Sequence, residues 1–203
     1  MPLFSAQPFS SLLVTSNIKN FKYQWVWQKD CPTGHLNSKK MPLRIHEQIL
    51  VFYRNNPTYN PQFWESKKMN ATYKTGGQSG GTYGAHERIE TSLEVGRTKR
   101  FPIDVIKFNR VNGQSKSKTL LSTQKPVPLL EYLIRTYTNE NDTVLDFCMG
   151  SGSTGIAAIN NGRNFIGIEK DMNHFKIAAK RIREAGALID VCQWGHEIPT
   201  EQK

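Results

Sequence analysis

Three glycines and two acids stand at a spacing that can hold a nucleotide-type ligand. Gly150, Gly152 and Gly155 fall within "VLDFCMGSGSTGIAAINNGRNFIGIEKD", residues 144–171, with Asp146 just before them and Glu169 near the end. Glycine lets a backbone approach a ligand closely, and a helix start offers free N–H groups. An acid ending the second strand can accept hydrogen bonds from both hydroxyls of a ribose. Three ligands compete for such a cradle. A P-loop requires a lysine where Ile156 stands, so that reading fails. The dinucleotide pattern GxGxxG is satisfied, with an acid about twenty residues on. Asp146, however, would oppose a pyrophosphate and suit a cation. S-adenosylmethionine carries a sulfonium and an ammonium, which two acids can face. A glycine turn that holds no ligand is the remaining alternative.

The surrounding elements follow from pattern. "TVLDF" reads as a strand, "STGIAAINNG" as a helix ending at Gly162, and "NFIGIE" as a second strand, together a βαβ unit. Before it, "PVPLLEYLIRTYT" has helical spacing that puts Leu129, Leu130, Leu133, Ile134 and Tyr137 on one face. Residues 8–17 read as a short helix with Pro8 near its first turn. "FKYQWVWQK" alternates as a strand, "CPTGHLNSKKMP" is a loop, and "LRIHEQILVFY" ends in an apolar run suited to a buried strand. From Asn55 to about Arg100 turn formers dominate, which predicts a loop-rich insertion closed by a strand in "RFPIDVIKF". No internal repeat is visible, and the tail after Gly186 has no assignable pattern.

The 203-residue length suits one domain with an inserted subdomain. A formal net charge of +10 draws polyanions, nucleic acid first among them; a basic enzyme without such a partner is the alternative. No apolar run is long enough to cross a bilayer, and the first residues lack the basic start of a signal peptide. Cys31, Cys148 and Cys192 are odd in number and form no CxxC pair, which argues against a disulfide framework or zinc site and fits a reducing cytosol.

Four blocks resemble the β-class DNA amino-methyltransferases, which methylate adenine N6 or cytosine N4. "DFCMGSGSTG" resembles the family's cofactor loop and "NFIGIEKD" its ribose-binding strand. "TQKPVPLLEYLI" resembles the HPTQKP block, and "SAQPF" with "WVWQK…KKMPLRIHEQILVFY" resembles the segments after the catalytic strand. The resemblance implies a doubly wound α/β, Rossmann-like methyltransferase sheet, with catalytic half first, DNA-recognition segment next and cofactor loop last. That permuted order explains why the glycine turn comes late. It also implies S-adenosylmethionine as cofactor, held by Asp146, Phe147, Met149, Gly150, Gly152, Ser153, Thr154 and Glu169, with Thr123 and Lys125 near its methionine end. DNA is the implied substrate, and Lys39, Lys40 and Arg44 lie in a loop that faces the duplex in the family. Arg97, Lys99 and Arg100 form a second basic cluster at the end of the insertion.

The family's catalytic motif, [DNS]PP[YFW], has no counterpart, because no Pro-Pro dipeptide occurs in this sequence. In the family its Asp or Asn side chain and a proline carbonyl accept bonds from the target amine, and its aromatic ring stacks on the flipped base. No catalytic residue is therefore assigned. Without that strand the sheet is expected to be incomplete, with a gap between "TVLDF" and the strand leading into "SAQPF". Three accounts stand: an upstream polypeptide supplies the motif, the chain is a non-catalytic remnant that binds cofactor or DNA, or Met1 is only an internal start within a longer methyltransferase. The family's His-Pro before TQKP is Leu121-Ser122 here, and its loop Phe is Cys148, beside which Phe147 can cover the same adenosine face.

Other residues favour structural roles. His46 and Glu47 lack a third ligand and are expected to pack. Trp25 and Trp27 are expected in the core or lining a base pocket, and Cys148 is expected to be a buried small residue. The expected organisation is a single methyltransferase domain, with residues 1–54 following the catalytic strand, 55–105 as target-recognition insertion and 119–185 as cofactor-binding part. Adenine N6 stands ahead of cytosine N4, in a cytoplasmic protein of restriction-modification type with no membrane partner.

Overall fold

A computed structural model describes residues 1–65, 98–111, 121 and 123–188. The chain divides into two compact units, Pro61–Ile103 and the remainder, Met1–Asn60 with Asp104–Lys203.

Among the described residues, the larger unit contains two separate sheets. In the first, β1 (Pro2–Ser5), β2 (Phe21–Thr33), β3 (Arg44–Phe52) and β6 (Val105–Lys107) run in the order β1-β3-β2-β6. β3 pairs antiparallel with both neighbours, and β6 pairs parallel with β2. Alternation along the strands decides what each face meets. Trp25, Trp27, Ile49 and Val51 form one core with Leu129 and Leu133 of α2 (Val127–Tyr137). Ser5, one residue past Phe4, points the other way and meets Ser10 of α1 (Phe9–Ser16) at 2.8 Å between hydroxyl oxygens. Helices thus cover both faces of this sheet, α2 on one and α1 on the other.

The second sheet has two parallel strands, β7 (Thr143–Asp146) and β8 (Asn164–Gly167), joined through α3 (Ser153–Asn160). Val144 and Phe165 face a core built from Leu130 and Ile134 of α2 and Ala157 and Ala158 of α3. α4 (Met172–Glu184) follows and packs through Ala178 and Ile182 against Met149 and the α3 side chains Ile156 and Ile159. Its start is capped by Asp171, whose carboxylate accepts from the Asn173 and His174 N–H groups.

α2 serves both sheets. Leu129 and Leu133 enter the first core, while Leu130 and Ile134 enter the second. Of the stripe read from helical spacing, Leu129, Leu130, Leu133 and Ile134 are buried and Tyr137 partly so, and the stripe splits between two partners.

In the smaller unit, β4 (Trp64–Glu65) pairs antiparallel with β5 (Lys99–Arg100). The Trp64 indole donates to the Phe101 carbonyl at 3.0 Å, and the Phe63 and Phe101 rings lie 4.8 Å apart. The single strand expected in "RFPIDVIKF" is two short strands, β5 and β6, one in each unit. Pro102 explains the break, since it has no N–H to give a ladder. Trp25 and Trp27 are core residues, 3% and 2% exposed. Their indoles donate to the Tyr137 hydroxyl and the Phe108 carbonyl.

Candidate cofactor site

The site is the turn between β7 and α3 together with the end of β8. β7 and β8 are in register, so Asp146 stands opposite Gly167 and Glu169 follows just beyond. Gly150 and Gly152 have φ of 53° and 76°, which folds the chain back so that α3 starts against the strand ends.

Both acids hold this turn. Asp146 accepts from the Cys148 N–H at 3.0 Å through Oδ1 and from the Thr154 hydroxyl at 2.7 Å through Oδ2. Glu169 accepts from the Gly150 N–H at 2.8 Å and from the Asp171 N–H at 3.0 Å. These backbone bonds, Asp171 first, hold the Glu169 carboxyl below its ordinary value against a smaller effect of burial. Glu169 is therefore ionised at neutral pH. Phe147, next to Asp146 in sequence, is 55% exposed. A side chain at Gly150 would meet Leu121, which brings the segment before TQKP against the turn.

The S-adenosylmethionine implied by the sequence resemblance fits this donor set. The carboxylates of Asp146 and Glu169 are acceptors that would suit its ammonium and ribose hydroxyls, and the exposed Phe147 ring is a face that would suit its adenine.

The other expected contacts divide. Thr154 touches Asp146 and belongs to the site. Thr123 is exposed, in the turn that precedes α2. Met149 is only 8% exposed, and its side chain packs with Ala178 and Ile182. Ser153 is likewise buried, its hydroxyl turned toward Arg181 of α4 at 3.4 Å. Gly152 is needed for packing, because a Cβ there would lie 2.9 Å from that of Ala178. Lys125 does not face the acids of the turn. Its ammonium bonds Glu47 at 2.8 Å and sits over the Phe4 and Trp27 rings at 5.2 and 5.8 Å.

Glu47 was read as packing, and it does more. It also bonds Lys29 at 2.6 Å, so it ties β2, β3 and the TQKP loop together. Burial opposes its charge, yet the bonds from Lys125 and Lys29 prevail and lower its pKa. Arg181, which donates to the Ser151 carbonyl, had no signal in the sequence because α4 itself was not legible. Cys148 is exposed, contrary to expectation. Partial desolvation of its thiol, and then the neighbouring Asp146 charge, raise the thiol pKa, which disfavours a thiolate nucleophile.

Lys39, Lys40 and Arg44 are exposed around the start of β3. Lys99 and Arg100 lie on β5 in the smaller unit, and Arg97 falls outside the described residues. Among the described residues no group of His, Cys, Asp or Glu could hold a metal, and no helix is long and apolar enough to cross a membrane.

Comparison with known proteins agrees with this geometry. The profile of a family described as DNA methylase, N6_N4_Mtase, matches residues 8–180. The chain is 33% identical over 182 residues to the type II methyltransferase M.HindIII of Haemophilus influenzae, covering 80% of this chain and 55% of that protein. It is 38% identical over 161 residues to the DNA adenine methyltransferase YhdJ of Escherichia coli, covering 79% and 52%. It thus spans about half the length of these relatives. Among solved structures, the M1.HpyAVI–SAM complex superposes with a TM-score of 0.59 at 27% identity, covering 90% of this chain and 73% of that one. The cytosine-N4-specific PvuII methyltransferase, at 14% identity and TM-score 0.52, shares the fold.

Proposed function

Because the chain belongs to the N6/N4 DNA methylase family, we propose that it forms the cofactor-binding part of a DNA methyltransferase acting on an exocyclic amine. One observation carries the reading: Asp146 and Glu169, at the ends of adjacent parallel strands, both bond the same glycine turn. S-adenosylmethionine, when bound, supplies an electrophilic methyl group. Asp146, positioned by Thr154, and the ionised Glu169 bind and orient that cofactor, with Phe147 against its adenine. Leu121 borders the turn, and Thr123 serves the methionine end of the cofactor. Lys39, Lys40, Arg44 and the cluster of Arg97, Lys99 and Arg100 neutralise DNA phosphates. Residues 55–105 serve as the target-recognition insertion.

Adenine N6 is the favoured target, since the 38% identical relative is named a DNA adenine methyltransferase. The groups that activate the amine come from an upstream polypeptide, with the assembly working on DNA in the cytoplasm. The absence of a Pro-Pro dipeptide supports a second reading, a non-catalytic remnant.

Calorimetry with S-adenosylmethionine, followed by transfer of labelled methyl into unmethylated DNA, separates these readings. Binding that Asp146→Ala weakens at least about tenfold, a loss of roughly 1.4 kcal/mol, supports the cofactor site. Absence of binding overturns it. Binding without transfer, even with the upstream polypeptide added, marks a remnant.

A further inference from the structure

A half-buried carboxylate shared by two ammonium groups makes a firm clamp, because the bonds are charge-assisted and salt screens them little. Glu47 is such a group. Its Oε1 accepts from Lys29 at 2.6 Å and its Oε2 from Lys125 at 2.8 Å. The Lys29, Lys125 and Glu47 side chains are 13%, 24% and 21% exposed. The two bonds join Glu47 to different kinds of partner. Lys29 lies on β2, which β3 already pairs at Trp27–Glu47 and Gln28–His46, so this bond links residues that the ladder holds together anyway. Lys125 lies outside every described strand, in the loop that leads into α2. Its ammonium has left bulk water for Glu47 and the Phe4 and Trp27 rings.

From Lys125 the clamp reaches the glycine turn in few steps. The Gln124 N–H donates to the Leu121 carbonyl at 3.0 Å, a turn bond that makes the two residues move together. Leu121 rests on Gly150, where a Cβ would stand 3.2 Å from its Cδ1. Gly150 gives its own N–H to the Glu169 carboxylate at 2.8 Å. A chain of contacts thus runs from Glu47 on the first sheet, through Lys125, Gln124 and Leu121, to an acid of the cofactor site on the second.

We propose that Glu47 is a positioning residue for the cofactor site. Acting through Lys125, it sets where Leu121 rests on the glycine turn, and so sets the affinity for S-adenosylmethionine. This inference rests on the cofactor reading above for the ligand, while the tether is defined by bonds within this chain. Lys29 neutralises the other carboxylate oxygen and takes no part in the tether.

Calorimetry with S-adenosylmethionine on three variants separates a tether from general loosening. Glu47→Gln and Lys125→Met each cut the link to the loop and should weaken binding about fivefold. The double variant should stay within about twofold of either single one, because both changes remove the same link. Lys29→Met leaves the Glu47–Lys125 bond in place and should keep the affinity within about twofold of the parent's. Hydrogen exchange at the Gln124 amide should quicken at least about fivefold in Glu47→Gln and Lys125→Met, and not in Lys29→Met. Parental affinity in Glu47→Gln overturns the proposal. So does an equal loss in Lys29→Met, the mark of a general loss of packing. If the parent chain binds no cofactor, the cofactor reading has failed on its own. Exchange at Gln124 then decides the tether, and an unchanged rate in Glu47→Gln overturns it.

Discussion

Glu47 on β3 and Lys125 in the loop before α2 meet at 2.8 Å across 78 positions of sequence. With Lys29 on the other carboxylate oxygen, this pairing fixes the TQKP loop to the first sheet instead of leaving its lysine in the cleft. The loop that borders the glycine turn is thus anchored by the antiparallel half of the unit.

Glu47 should make the chain acid-sensitive. Its folded pKa is lowered, so its contribution is full above the unfolded carboxylate value of about 4.3 and is lost as pH falls through the folded value. Glu47→Gln should cost about 1–2 kcal/mol at pH 7, discounted for partial exposure. Thermal melts at pH 7 and pH 4 should show a smaller difference between the two pH values in the variant than in the parent. An unchanged difference would mean the triad contributes nothing.

Two glycines with similar φ should respond differently to alanine. Gly152 (φ 76°) would place its Cβ 2.9 Å from Ala178, whereas Gly162 (φ 69°) has open space. Gly162→Ala should lose about 1–2 kcal/mol from backbone strain alone. Gly152→Ala should lose about 2–5 kcal/mol, because overpacking adds to the same strain. Urea unfolding of the pair measures the difference, and equal losses would refute the packing role.

In the proposed cofactor site Thr154 acts through Asp146. Thr154→Val removes the hydroxyl bonded at 2.7 Å and should weaken S-adenosylmethionine binding about fivefold, roughly 1 kcal/mol. Thr154→Ser keeps the hydroxyl and should restore the affinity. Calorimetry on both variants checks this, and a serine variant as weak as valine would point to lost packing instead.

Replacing Lys39, Lys40 and Arg44 together by alanine should flatten the salt dependence of DNA binding. Each lost phosphate contact lowers the log–log slope by about 0.9, so the change approaches about 3 if all three touch the backbone. Fluorescence anisotropy across a salt series reads the slope directly. No change would leave these residues as plain solvated charge.

Legibility in the sequence followed the strength of local pattern. The βαβ unit and the α2 stripe were visible because period and turn chemistry agreed over many residues. β1 was not readable from its own four residues, which are too few to show alternation; only the resemblance called for a strand before "SAQPF". α4 was missed because its buried side is largely alanine, Ala178 and Ala179 with Ile182, which carries little hydrophobic contrast. In hindsight Asp171 is a readable cap. At the site, the two acids came from motif and spacing, and Thr154 from the family resemblance. The inward turn of Met149 and Ser153 depends on α4, so no local reading could place them. Lys125's partner lies 78 residues away, beyond any window.

The split loyalty of α2 has a further consequence for how the larger unit comes apart. Among the described residues no backbone ladder joins the two sheets, so cooperativity between them passes through the side chains of one eleven-residue helix and those packed on it. Leu129 and Leu133 report to one side, Leu130 and Ile134 to the other. Trimming one pair loosens one sheet first and uncouples the melting of the two. The helix therefore behaves as a mechanical fuse, setting whether the fold fails as one body or in two steps.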